Sequence, residues 1–119
     1  MQLRDALEYA LWMLTEGHLS IDAAGHVWRH AILNRAEWRP VAARRAESLG
    51  GNGYLRVILQ VDGRLRSVSA HRLVWIAANG PIPTGEQINH KDLDRHHNTI
   101  ENLEVVTPSS NILHSYANG

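Results

Sequence analysis

Residues 55–63 constrain the fold more than any other stretch of the chain. Leu55, Val57, Leu59 and Val61 alternate with Arg56, Ile58 and Gln60, and Asp62-Gly63 follows. Alternation places one set of side chains on each face of a strand, and Asp-Gly is a favoured pair for a two-residue hairpin turn. A return strand from Arg64 to Ala70 is therefore expected. Such a hairpin needs apolar partners, and helical spacing offers two. Leu3, Leu7, Ala10, Leu11 and Leu14 recur at three- and four-residue intervals over residues 3–16, with Gly17 as the stop. Arg72 to Ala78 reads as a short helix closed by Asn79-Gly80-Pro81.

Further hairpin signals flank this centre. Leu19 to Asp22 and Val27 to Arg29 surround Ala23-Ala24-Gly25, a second, shorter hairpin. Residues 31–52 show no assignable period; Pro40 excludes one continuous helix, and Gly50-Gly51-Asn52-Gly53 is a turn or loop. Toward the C-terminus the pattern is strand (Gln87 to Lys91), polar loop (Asp92 to Asn102), strand (Leu103 to Val106), helix. Thr107 is the expected N-cap of that helix and Pro108 its first residue. On it Ile112 and Tyr116 share one face, while Asn111, His114 and Ser115 share another.

The chain has 119 residues, 44% hydrophobic, enough for one core. Residues 1–119 are thus read as a single domain: a helix over 1–17, hairpins and a short helix over 18–79, and a C-terminal unit over 84–117. Cysteine is absent, which excludes a disulfide framework, a thiolate zinc finger and a cysteine nucleophile. No apolar run approaches the roughly 18 residues of a membrane span, and the N-terminus lacks a signal-peptide pattern. The expectation is a cytoplasmic protein without a membrane partner. Trp12 and Met13 on the first helix offer a pairing surface, so monomer and homodimer are both open.

Formal net charge is zero, from 12 basic and 12 acidic residues, which alone argues against a nucleic-acid partner. The distribution argues the other way. Residues 1–27 carry one arginine and four acids, residues 28–72 nine arginines and three acids, and residues 73–119 two bases and five acids, a run of −3, +6 and −3. The central positive charges are all Arg, whose planar fork matches phosphate. Arg56, Arg64, Arg66 and Arg72, on or beside the central hairpin, are the expected backbone contacts to double-stranded DNA. Arg44 and Arg45 come second.

His90 ends a strand, Asn102 ends the loop 12 residues later, and Asn111 follows after 9 more, in the first turns of the helix. Phosphodiester hydrolysis needs a base for water and a divalent cation for the charge on phosphate and leaving oxygen. Histidine titrates near neutrality and can be that base; amide and carboxylate oxygens suit Mg²⁺ or Mn²⁺. In a regular strand Asn89 and His90 point to opposite faces.

Taken in order, His71-Arg72-Leu73-Val74-Trp75, Gly80-Pro81-Ile82-Pro83, Ile88-Asn89-His90-Lys91-Asp92, Asn98, Glu101-Asn102-Leu103, Val106-Thr107-Pro108-Ser109 and Asn111 resemble the HNH endonucleases of phage and intron-homing type. The resemblance spans about residues 50–117, and Leu19 to Arg29 resembles the strand pair upstream in such proteins. It implies an α+β fold with a C-terminal ββα-metal core, in which a hairpin and a helix clasp one divalent ion. It further implies a metal-dependent DNA endonuclease that nicks with low sequence specificity, in a bacterial or phage-infected cell. His90 matches the general base. Asn102 matches the central Asn that orients this His and braces the loop. Asn111 matches the helix metal ligand, and Asn89 a ligand position that is often Asp. The neutral donor at Asn89 implies weaker metal binding. The ion implied is Mg²⁺ or Mn²⁺, with Zn²⁺ open because His114 lies one turn beyond Asn111.

Two other readings stay open. One is a non-catalytic DNA-binding module on a degenerate HNH scaffold, favoured by the neutral Asn89. The other is a structural zinc site of His90, His96, His97 and His114, whose spacing matches no zinc-finger pattern. His96 and His97 are given no catalytic role, and His71 is read as fixing a helix start.

Overall fold

The first helix, α1 (Ala6–Thr15), begins where the Asp5 side chain accepts from the Glu8 N–H at 2.8 Å. It ends at Gly17, whose φ of 79° lets the His18 N–H return to the Met13 carbonyl at 2.9 Å. The computed structural model describes residues 5–107. Within them β1 (Leu19–Ile21), β2 (Val27–Asn34) and β3 (Glu37–Arg45) form one antiparallel sheet in that order. A second antiparallel sheet holds β4 (Glu47–Leu49), β5 (Leu55–Val61) and β6 (Arg64–Ser69), again in order. Helix α2 (Ala70–Asn79) follows, and β7 (Gln87–His90) pairs with β8 (Leu103–Val106) as a separate hairpin. This is the expected α+β class, built among the described residues from antiparallel sheets and two α-helices.

The β5–β6 hairpin has the register its sequence dictates. Val61 faces Arg64 across a turn in which both Asp62 (φ 51°) and Gly63 (φ 76°) take the left-handed conformation. Val57 and Leu59 then point inward with Val68, against Ala10 and Met13 of α1 and Leu73 of α2. Leu19, Val27, Ile88 and Leu103 join the same core, so all three sheets share it. Burial of this apolar set supplies the main driving force for folding.

Several expectations are corrected here. Residues 31–52 are mostly strand: β2 continues to Asn34 and returns as β3, and Pro40 is accommodated because β3 lies at a sheet edge. Helix α2 starts two residues before Arg72. Of the pairing surface expected on α1, Met13 is sealed in the core, while Trp12 is half-buried, its ring 5.8 Å from Trp38 and 5.4 Å from His18. The helix expected at the C-terminus, with Asn111 and His114, lies outside the described residues. Among the described residues no helix is long and apolar enough to cross a membrane.

Candidate active site

Alternation along β7 turns Ile88 and His90 to the buried side and leaves Asn89 facing away. His90 is only 3% exposed. Its Nε2 lies 2.6 Å from the Oδ1 of Asn98, which is itself 1% exposed. With a carbonyl oxygen as partner, Nε2 carries the proton and donates, leaving Nδ1 as the lone-pair nitrogen. The other walls are aromatic: the His90 ring centroid is 4.9 Å from that of His71 and 5.8 Å from that of Tyr54.

Asn102 is buried too, but its hydrogen bonds brace the loop and none of them reaches the His90 ring. Its side chain donates to Asp92 Oδ1 (3.0 Å) and to the His97 carbonyl (2.7 Å), and accepts from the Asp92 N–H (3.2 Å). Asp92 gathers the loop from the other end, paired to His97 Nδ1 and accepting from the Asp94 N–H at 2.9 Å. These bonds, His97 first, hold the Asp92 carboxyl down at about 2. The loop is also tied to the turn before β5. Arg95 donates to the Asn52 carbonyl (2.9 Å) and His96 Nε2 to the Gly53 carbonyl (3.1 Å), while the Arg95 guanidinium lies 4.9 Å over the Tyr54 ring. His90, His96 and His97 thus each serve a different partner. Among the described residues no group of three or more His, Cys, Asp or Glu could hold a metal ion.

Asn89 sits opposite Glu104 across the β7–β8 ladder and donates to its Oε1 at 3.1 Å. An amide carbonyl and a carboxylate stand side by side there. This all-oxygen pair fits a hard divalent cation and restores the negative charge that Asn89 itself lacks.

His71 does more than start a helix. Its ring is buried between Tyr54 and His90, and its pKa falls to about 4, chiefly through burial, then through His90 and Arg72. It therefore stays neutral beside His90 at neutral pH.

The four expected DNA-contact arginines do not share one face. Arg56 pairs with Ser69 on the outer face of β5–β6, whereas Arg64 and Arg66 pair with Val61 and Leu59 on the opposite face. Arg72, on α2, lines the same side of the molecule as Asp5 and Ser67. Of the second-choice arginines, Arg45 is engaged with Glu47 at 2.6 Å. Asn98, Tyr54 and Glu104 are site residues that the sequence reading left without a role. For Asn98 a signal existed, as a quoted position of the family pattern; for Tyr54 and Glu104 there was none.

Residues 68–113 match the model of the HNH endonuclease family. An uncharacterized HNH endonuclease of Acanthamoeba polyphaga mimivirus is 33% identical over 63 residues, 53% of this chain and 19% of that one. Protein 3.8 of Escherichia phage T7 is 44% identical over 41 residues, 34% of each chain. A solved structure of the HNH homing endonuclease I-HmuI, described as showing DNA binding and cleavage, aligns over 87% of this chain and 54% of that one, with a TM-score of 0.64 and 24% identity. The chain therefore spans only part of the length of each protein it matches, from 19% to 54%. The region matched by the family model holds the end of β6, α2, β7, the braced loop and β8, with His90 and Asn102 inside it. Residues 68–113 thus match the HNH endonuclease family, and the fold of the described residues is similar to that of an HNH homing endonuclease.

Proposed function

We propose that the chain is a metal-dependent DNA endonuclease in which His90 is the general base. The observation that carries this reading is the His90 ring, fixed by Asn98 at the end of β7 within the family-matched region. His90 Nδ1 takes a proton from water as its oxygen attacks phosphorus; the bond to the 3′-oxygen breaks, and that oxygen takes a proton from solvent, giving a 5′-phosphate and a 3′-hydroxyl, while His90 later returns its proton to solvent. Asn98 orients the base, and Asn102 holds the loop in shape around it. Asn89 with Glu104, and Asn111 of the expected C-terminal helix, would be the oxygen donors for Mg²⁺ or Mn²⁺. A bound divalent ion neutralises charge on the scissile phosphate and the departing oxygen. Residues 18–79 position the duplex through their arginines, and one active site per chain makes nicks.

Supercoiled plasmid tests the proposal. Open circles should form with Mg²⁺ or Mn²⁺ and not with EDTA, and His90→Ala should abolish them. Asn98→Leu should retain the fold and lose roughly 10- to 100-fold in rate, the usual cost of removing a residue that orients a working side chain. Plasmid that shifts in a gel but is never nicked would leave the DNA-binding module as the better reading.

A further inference from the structure

The β2–β3 ladder sets Arg29 directly opposite Arg44. Residues opposed in this way share a face with their Cβ atoms about 5 Å apart, and like charges so placed repel. Proteins normally relieve such a pair with a carboxylate. Here neither arginine makes an ion pair among the described residues; the cation–carboxylate pairs there involve Arg39, Arg45, His26 and His97. Arg29 is half-buried, and its guanidinium donates to the Ile58 carbonyl at 3.0 Å, a neutral partner. Burial together with the charge of Arg44 pushes the Arg29 pKa down, the direction expected of an uncompensated pair.

Both arginines line a cleft of about 300 Å³ between the two three-stranded sheets, with Tyr9, Trp38, Gln60 and Leu65 among its walls and no carboxylate in its lining. Two guanidinium forks with no internal counter-charge, in a cleft open to solvent, form a cradle for an anion with several acceptor oxygens.

We propose that Arg29 and Arg44 form a phosphate-binding cleft that holds the DNA backbone away from the catalytic hairpin. The assignment rests on the nuclease reading for the identity of the anion, since a phosphodiester is the phosphate such a protein meets. Repulsion between the two arginines in the free protein is relieved when the phosphate enters. The cleft therefore trades stability of the free fold for affinity.

Arg44→Gln is the informative variant, because Arg44 is exposed and its loss removes repulsion without touching the core. Two measurements are made on the full chain in EDTA, where cleavage does not intervene. The melting temperature without DNA at low salt should rise by roughly 1–5 °C, and the gain should vanish at high salt. Affinity for a short duplex of arbitrary sequence should fall, and the slope of log K against log salt should flatten by about 1. Arg29→Gln should flatten the slope likewise. Wild-type slope and affinity in both variants overturn the cleft while leaving the nuclease proposal intact. Failure of the wild type itself to bind or nick DNA counts against the nuclease proposal. Inorganic phosphate at matched ionic strength is the second probe. If it raises the wild-type melting temperature through Arg44 yet never competes with the duplex, the cleft takes a free anion and the DNA assignment falls.

Discussion

His71 is kept neutral in the fold at pH values where an exposed histidine would be charged, and this has a measurable consequence. Its pKa falls from 6.5 to about 4 among Tyr54, His90 and Arg72. Below pH 6.5 the unfolded chain takes up a proton that the folded chain refuses, so stability is complete above that value and declines as pH drops towards 4. A shift of this size corresponds to about 3 kcal/mol. Urea unfolding of the wild type and His71→Phe, at pH 7 and pH 4, isolates the effect. The wild type should lose about 3 kcal/mol relative to the variant over that interval, and an unchanged difference would refute it. At the same scale, His90 was legible in the sequence because its type and its spacing to Asn102 and Asn111 form a pattern. Its ring partner was not. Asn98 and Asn102 both lie in the loop after it, and sequence separation does not say which amide reaches the ring. The loop's internal bonds decide that: Asn102 is engaged with Asp92 and the His97 carbonyl, which leaves Asn98 to turn inward.

The β1–β2 turn shows how an element far from the candidate-site hairpin in sequence shapes it. Asp22 accepts from the N–H groups of Ala24 and His26 and from the Trp28 indole, which makes the turn rigid. At its tip Gly25 has φ +79°, and a Cβ built there would lie 1.9 Å from the Asn98 carbonyl oxygen. Only glycine permits this approach. Gly25→Ala should destabilise by roughly 2–5 kcal/mol, from left-handed strain plus the clash. Gly17 has the same φ with nothing within 4 Å, so Gly17→Ala should cost only about 1–2 kcal/mol. Comparing the two urea midpoints separates strain from contact; equal losses would mean that the Asn98 contact contributes nothing. Legibility varied by element for a physical reason. β5 was readable because one of its faces is buried, so apolar residues alternate there. The β3 strand is exposed along most of both faces, from Glu37 to Arg45, and selection for burial left no period to read.

At the scale of the whole molecule, the arginine-rich centre between acidic flanks was visible in the chain, but its division between two sheets was not. Five of its nine arginines, at 29, 35, 39, 44 and 45, fall on the β2–β3 ribbon that no periodicity revealed. The described molecule is held together by one apolar core shared among three sheets and two helices. Its loop histidines are bound to protein partners: His96 to the Gly53 carbonyl and His97 to Asp92. A fold built this way is expected to hold without a metal, unlike a zinc scaffold, whose binding free energy is its folding free energy. The oxygen donors at Asn89 and Glu104 would bind a hard cation weakly, and at a metal concentration near Kd the stabilisation is only about 0.4 kcal/mol. Removing Mg²⁺ with EDTA should therefore stop plasmid nicking while moving the melting temperature by no more than about 3 °C. Nicking and melting are read on the same preparation before and after chelation. A collapse of the melting transition on chelation would show that the metal is structural, and the zinc-scaffold reading would replace the one argued from His90.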